Sequence, residues 1–127
     1  MRVFLATPIR GVRTHEHIYR LMYDRLNALG VEVEGAFGLF PQDEVGLDEH
    51  GIYTRDIAAL ERSDMLVAEV STPSLGVGFE IAHAVHLKVP VVCVHQQGTR
   101  VSAMVAGCPD IQLYAYATDE ELCTIFE

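Results

Sequence analysis

The stretch that most constrains the fold is Met65-Leu-Val-Ala-Glu-Val-Ser-Thr-Pro-Ser-Leu-Gly-Val-Gly-Phe-Glu80, with the eight residues that follow it. The apolar run Met65–Val70 reads as a buried strand, and Gly78 to Lys88 reads as a helix. Between them lies a loop of small residues, over which a ligand can approach the backbone closely. A helix N-terminus carries unpaired N–H groups and a partial positive charge, which suits an anion. On this reading Glu80 falls in the first helical turn, where the same field favours its ionised form.

The rest of the chain repeats the pattern. Arg2–Ala6 is a short strand, followed by the loop Thr7–Arg13, where Pro8 and Gly11 break regular structure. Thr14 is placed to cap a helix that runs to about Leu29, with Ile18, Leu21, Met22, Leu26 and Leu29 on one stripe and Gly30 ending it. Val31–Glu34 alternates like a strand. The connection Gly35–Gly51 is acidic and long for a compact domain, which marks it as functional or mobile. A helix is expected over Ile52–Arg62, and Pro90–Val94 is a continuous apolar strand of the kind covered on both faces. A helical turn over Val101–Ala106, a strand over Ile111–Tyr114 and a final helix over Asp119–Glu127 complete the chain. Strands alternating with helices predict one α/β domain over residues 1–127. Its expected core is a doubly wound, five-stranded parallel sheet with helices on both faces, Rossmann- or flavodoxin-like. Ligands of such sheets sit beyond the carboxyl ends of the strands, where strand order reverses. The loops after the first and third strands are therefore the expected site.

Composition removes several classes of function. The net charge of −9 opposes nucleic-acid polymers, which need a basic footprint, but leaves room for a small phosphorylated ligand held by local donors. No apolar run approaches the length of a membrane span. Cys93, Cys108 and Cys123 are odd in number and far apart, which points to reduced thiols in a cytoplasmic protein and not to disulfides or a zinc site. Gly76-Val-Gly78 begins a dinucleotide fingerprint, but Ile81 occupies the third glycine position. His83 and His86 stand at i and i+3 without a third ligand at suitable spacing, so no metal is expected.

Two acids remain as chemistry. Glu80 and Asp56 lie on helices that both start at the carboxyl edge of the sheet. A carboxylate pair can cut a glycosidic bond, one as nucleophile and the other as proton donor. Spacing alone favours a plainer reading, in which Glu80 complements a helix dipole and Asp56 is a solvated helix residue, since such acids are common. Arg10 offers a planar fork for phosphate or is a surface arginine. Ser74 and Gly76 offer a hydroxyl and an N–H, or are ordinary turn residues.

The run from Asp64 to Glu80 resembles the 2′-deoxynucleoside 5′-phosphate N-hydrolases of the nucleoside 2-deoxyribosyltransferase superfamily. The resemblance extends to Ile9-Arg10-Gly11, to Tyr53-Thr-Arg-Asp56 and to Val101-Ser-Ala-Met104. It implies a hydrolase acting on the N-glycosidic bond of a nucleoside 5′-monophosphate without metal or organic cofactor. Glu80 is then the carboxylate that attacks the anomeric carbon, and Asp56 its partner. Arg10, Gly11, Ser74 and Gly76 form the phosphate cradle, and Ile9 walls the base. Ser102 and Met104 reach into a neighbouring subunit's site, which implies a homodimer. Two departures stand out. Phe4 replaces the tyrosine of deoxynucleotide-specific members, which resembles the branch acting on cytidine 5′-monophosphate and implies tolerance of ribose. Pro8 replaces a serine beside the phosphate, with Thr7 as the available substitute, and Ala6-Thr-Pro8 also resembles the deoxyribosyltransferases. The rival readings are therefore a nucleoside 2-deoxyribosyltransferase and a non-catalytic nucleotide sensor on the same fold.

Overall fold

The structure is a computed structural model, and it describes residues 1–8, 15–40, 42 and 45–126. Five strands and five helices alternate along it. They are β1 (Arg2–Ala6), α1 (Glu16–Ala28), β2 (Glu32–Gly35), α2 (Glu49–Glu61), β3 (Met65–Glu69), α3 (Leu75–His86), β4 (Val91–Gln96), α4 (Ala103–Ala106), β5 (Ile111–Tyr116) and α5 (Asp119–Ile125). All strand pairs are parallel, in the order β2-β1-β3-β4-β5. This is the doubly wound sheet expected from the sequence. Strand order reverses between β1 and β3, which opens the crevice at their carboxyl ends.

The central strands are buried on both faces, so each residue parity feeds its own core. Val3, Leu5, Val67, Val92 and Val94 pack with Ile18, Tyr19, Met22 and Leu26 of α1 and Leu122 of α5. Phe4, Ala6, Leu66, Ala68, Val91 and Cys93 pack with Ala59 and Leu60 of α2 and Val77, Ile81 and Ala84 of α3. Successive strand residues point to opposite faces, which gives continuous apolar runs instead of alternation.

Several boundaries differ from expectation, and four have a clear local reason. Helix α2 begins at Glu49, because the Asp48 carboxylate accepts a hydrogen bond from the Gly51 N–H at 2.8 Å and starts the helix ahead of Ile52. Helix α3 begins at Leu75, because Ser74 caps it, its hydroxyl oxygen accepting from the Val77 N–H at 3.3 Å. The two glycines that suggested a loop, Gly76 and Gly78, are inside α3. Strands β4 and β5 run two residues further, to Gln96 and Tyr116, because their pairing continues through His95↔Ala115 and Gln96↔Tyr116. Thr14, the expected cap of α1, lies outside the described residues.

The long connection after β2 is pinned at its start. Gly35 and Ala36 both adopt positive φ (73° and 56°), turning the chain back over the sheet into a short 3-10 turn, Phe37–Leu39. Gly38 of that turn donates its N–H to Thr7 Oγ1 at 3.1 Å. A Cβ on Gly38 would stand 2.3 Å from the Pro8 carbonyl oxygen and 2.8 Å from Thr7 Oγ1, so only glycine permits this contact. Gly38→Ala should therefore destabilise the fold by about 1–3 kcal/mol through forced displacement of the Thr7–Pro8 backbone. Thermal unfolding checks this, and an unchanged midpoint would show that the turn yields without cost.

Candidate active site

Helices α2 and α3 lie side by side on the face of the sheet that carries Phe4 and Ala6. Between their N-terminal halves and the end of β1 opens a cleft of about 840 Å³. Thr7 and Pro8, just after β1, line it, with Ile52, Tyr53 and Asp56 of α2 and with Gly76, Phe79 and Glu80 of α3 and its cap Ser74. Tyr53 and Phe79 meet edge to face at the rim, ring centroids 6.1 Å apart, both half exposed. Such a pair offers an apolar surface to a flat ring.

The two acids meet inside. Asp56 is 7% exposed and Glu80 9% exposed, and their carboxyl groups are hydrogen-bonded to each other. Burial, then the Asp56 charge and that hydrogen bond, push the Glu80 carboxyl up to about 8, with the positive Arg55 opposing them. This corrects the expectation of an ionised Glu80. Because α3 starts at Leu75, Glu80 stands beyond the first turn, where the helix field has faded and desolvation dominates. The pair holds one proton near neutral pH.

Arg55 fixes the other end of the pair. Its Nε and a terminal nitrogen lie 2.9 Å and 2.8 Å from Asp56 Oδ1, and its guanidinium stacks 3.6 Å over the centroid of Phe37. The aromatic face holds the cation without removing its charge. Phe37 belongs to the connection after β2, so that segment reaches the site through Arg55. Sequence inspection missed this contact. The signal available was an Arg-Asp dipeptide on α2, and nothing local to it pointed to a ring eighteen residues earlier.

At the mouth of α3 the geometry suits an anion. The Ser74 hydroxyl caps the helix, and the first-turn N–H groups of Leu75 and Gly76 have no intrahelical acceptor. A Cβ on Gly76 would meet nothing within 4 Å, so this side of the turn is open space. Ser74 and Gly76 share the cleft with Asp56 and Glu80. Thr7 is buried there with its hydroxyl oxygen engaged by Gly38. Ile9, Arg10 and Gly11 lie outside the described residues. Phe4 is 1% exposed, packed in the core below, and is not among the described residues that line the cleft.

Ser102 and Met104 lie elsewhere. They border a second, larger groove of about 1,260 Å³ on the other flank of α3, with Leu75, Phe79, Val101 and Val105. Ser102 caps α4, and Met104 is 83% exposed. Pro73, Ser74, Leu75, Val77 and Phe79 border both cavities, so α3 is the wall between them. Among the described residues, no group of three or more His, Cys, Asp or Glu side chains could hold a metal ion. None of the described helices is long and apolar enough to cross a membrane.

Comparison with known proteins sets this geometry in a family. Residues 3–120 match the family model described as nucleoside 2-deoxyribosyltransferase. A protein of Methanosarcina mazei with the provisional name 2′-deoxynucleoside 5′-phosphate N-hydrolase 1 is 42% identical over 125 residues, covering 94% of this chain and 78% of its own. The 5-hydroxymethyl-dUMP N-hydrolase of Mus musculus is 36% identical over 127 residues, covering 93% of this chain and 73% of its own. The solved CMP N-glycosidase of Clostridium botulinum superposes with a TM-score of 0.72 at 18% identity, covering 99% of this chain and 98% of its own, which establishes likeness of fold. With its parallel sheet, its crevice at the reversal of strand order and its match over nearly the whole length, the chain belongs to the nucleoside 2-deoxyribosyltransferase family.

Proposed function

We propose that the protein hydrolyses the N-glycosidic bond of a nucleoside 5′-monophosphate, a pyrimidine nucleotide of the CMP type being the favoured substrate. The products are free base and a ribose or deoxyribose 5-phosphate. One observation carries the reading: a buried, mutually hydrogen-bonded Glu80–Asp56 pair opens into the same cleft as the unpaired N–H groups at the start of α3. The names of the relatives support it.

In this mechanism the phosphate rests on Ser74, Gly76, Gly11 and the Arg10 guanidinium, with Thr7 near and Ile9 against the base. Its binding energy holds the anomeric carbon over Glu80. The pair's one proton passes to Asp56, leaving Glu80 as the carboxylate. Glu80 then attacks the anomeric carbon, the C–N bond breaks, its electrons go to the base, and Asp56 delivers the proton to it. Water next attacks the glycosyl ester, giving its proton to Asp56 and restoring Glu80.

The second groove supports a homodimer. Leu75 is 96% exposed beside Met104 and Phe79, a contiguous apolar patch of the kind that marks an interface. A second copy seated there brings its own Ser102 and Met104 to the rim of α3 shared with the cleft.

Free base released from a panel of ribo- and deoxynucleoside 5′-monophosphates tests the reading directly. Glu80→Gln should lower kcat by at least about a thousandfold. Base exchange on unphosphorylated nucleosides at the rate of hydrolysis would assign the transferase activity instead. Nucleotides bound but intact over hours would assign a sensor.

The proton count predicts the pH profile. Above about 8 the pair loses the proton that the leaving base needs. kcat/KM should therefore fall tenfold per pH unit there, and Asp56→Asn should abolish that limb while lowering the rate by about 10²–10⁴-fold. A rate that climbs through pH 8 would assign the proton no role.

Met104→Asp should convert a dimer to a monomer by light scattering and lower activity by at least about tenfold, as a buried charge in the interface demands. A fully active monomer would show that each chain completes its own site.

A further inference from the structure

The strand that leads to α3 ends in an acid that the reaction does not use. Glu69 is 3% exposed and points to the α1–α5 side of the sheet, the face opposite the cleft. Its Oε1 accepts from the Ser71 N–H at 2.6 Å and its Oε2 from the Ser71 hydroxyl at 2.7 Å. The buried Tyr116 hydroxyl at the end of β5 also donates to Oε2. Ser71 Oγ in turn accepts from the Gln96 N–H at the end of β4, at 2.7 Å. One carboxyl group thus ties together the carboxyl ends of β3, β4 and β5 and grips both donors of the residue that opens the β3–α3 loop.

From the rigidity of that path we propose that Glu69 is a positioning residue for the phosphate-holding end of α3, acting through Ser71. Only Thr72 and Pro73 separate Ser71 from the Ser74 cap. Pro73 fixes its own φ and confines Thr72 to extended backbone, so the segment transmits position instead of absorbing it. With Ser71 held on three sides, the Ser74 hydroxyl and the N–H groups of Leu75 and Gly76 are placed before a ligand arrives. A cradle preorganised in this way binds without the ordering cost of a loose one. Sequence gave no hint of this role, since Glu69 reads there only as one polar residue in an apolar strand.

The proposal rests on the reading that this end of α3 takes the phosphate, so the test separates the two. Wild type, Glu69→Gln, Ser71→Ala and Tyr116→Phe are compared for kcat and KM on whichever monophosphate wild type cleaves. Ribose 5-phosphate affinity is measured by calorimetry, all well below the melting temperature. Glu69→Gln should raise KM and the ribose 5-phosphate Kd together by about tenfold, the equivalent of one lost charge-assisted hydrogen bond, and leave kcat within about twofold. Tyr116→Phe should move both in the same direction by less, and Ser71→Ala decides the matter if Glu69→Gln does not fold. Variants that melt lower but keep wild-type KM and Kd would overturn the proposal, leaving the cluster as sheet-end glue. A fall in kcat at constant KM would overturn it too. Wild type that cleaves no monophosphate would refute the functional reading alone, because the ribose 5-phosphate affinities still decide the role of Glu69.

Discussion

Everything about the cleft follows from placing two carboxyl groups in contact where water is scarce. Neither Asp56 nor Glu80 has the solvent that normally stabilises an acid's charge, and two adjacent charges repel strongly at low dielectric. The pair therefore keeps a proton that ordinary acids release near pH 4. That same proton is what a leaving base needs, and the charge left behind is what an anomeric carbon needs. An isolated exposed glutamate would supply the second and not the first.

Such a pair destabilises a fold unless its surroundings compensate. Arg55 does so from one side, held against Phe37 so that its charge stays aimed at Asp56. The sheet does so from below. Its strand order separates β1 from β3 at their carboxyl ends, which leaves a crevice that α2 and α3 enter at their N-terminal halves. Gly38, pressed on Thr7 and Pro8, ties the connection that carries Phe37 to the same edge. The parts that hold the acids are thus long-range contacts between segments that are short individually.

That explains what a linear reading recovers. The alternation of apolar runs with amphipathic stretches identifies the parallel sheet, because burial on both faces leaves a direct mark on Val91-Val-Cys-Val94 and Leu66-Val-Ala68. Asp56 and Glu80 are recoverable because each lies on a helix that begins at the carboxyl edge of the sheet. The start of α3 is not. Gly76 and Gly78 are poor helix formers by propensity, and only the Ser74 cap and the packing of Val77 and Ile81 outweigh that. The state of Glu80 is misjudged for the same reason, since moving the helix start by three residues replaces a dipole argument with a burial argument. Arg55 on Phe37 and Glu69 with Tyr116 are pairings across 18 and 47 residues, and no spacing rule in a strand or helix reports them.

The overall charge sharpens what the site must accomplish. A chain of net charge −9 repels a nucleotide at long range, although salt screens that field beyond about 8 Å. Attraction must therefore come from donors at hydrogen-bonding distance, and such donors select only when they are already in place. Helix N–H groups meet that demand better than flexible lysines, because the helix fixes their direction and the Ser74 cap fixes their start. The clamp on Ser71 extends this rigidity into the sheet, through bonds that themselves carry no contact with the cleft. An acidic protein can then hold an anionic ligand with few cations, provided the framework behind the cradle does not give.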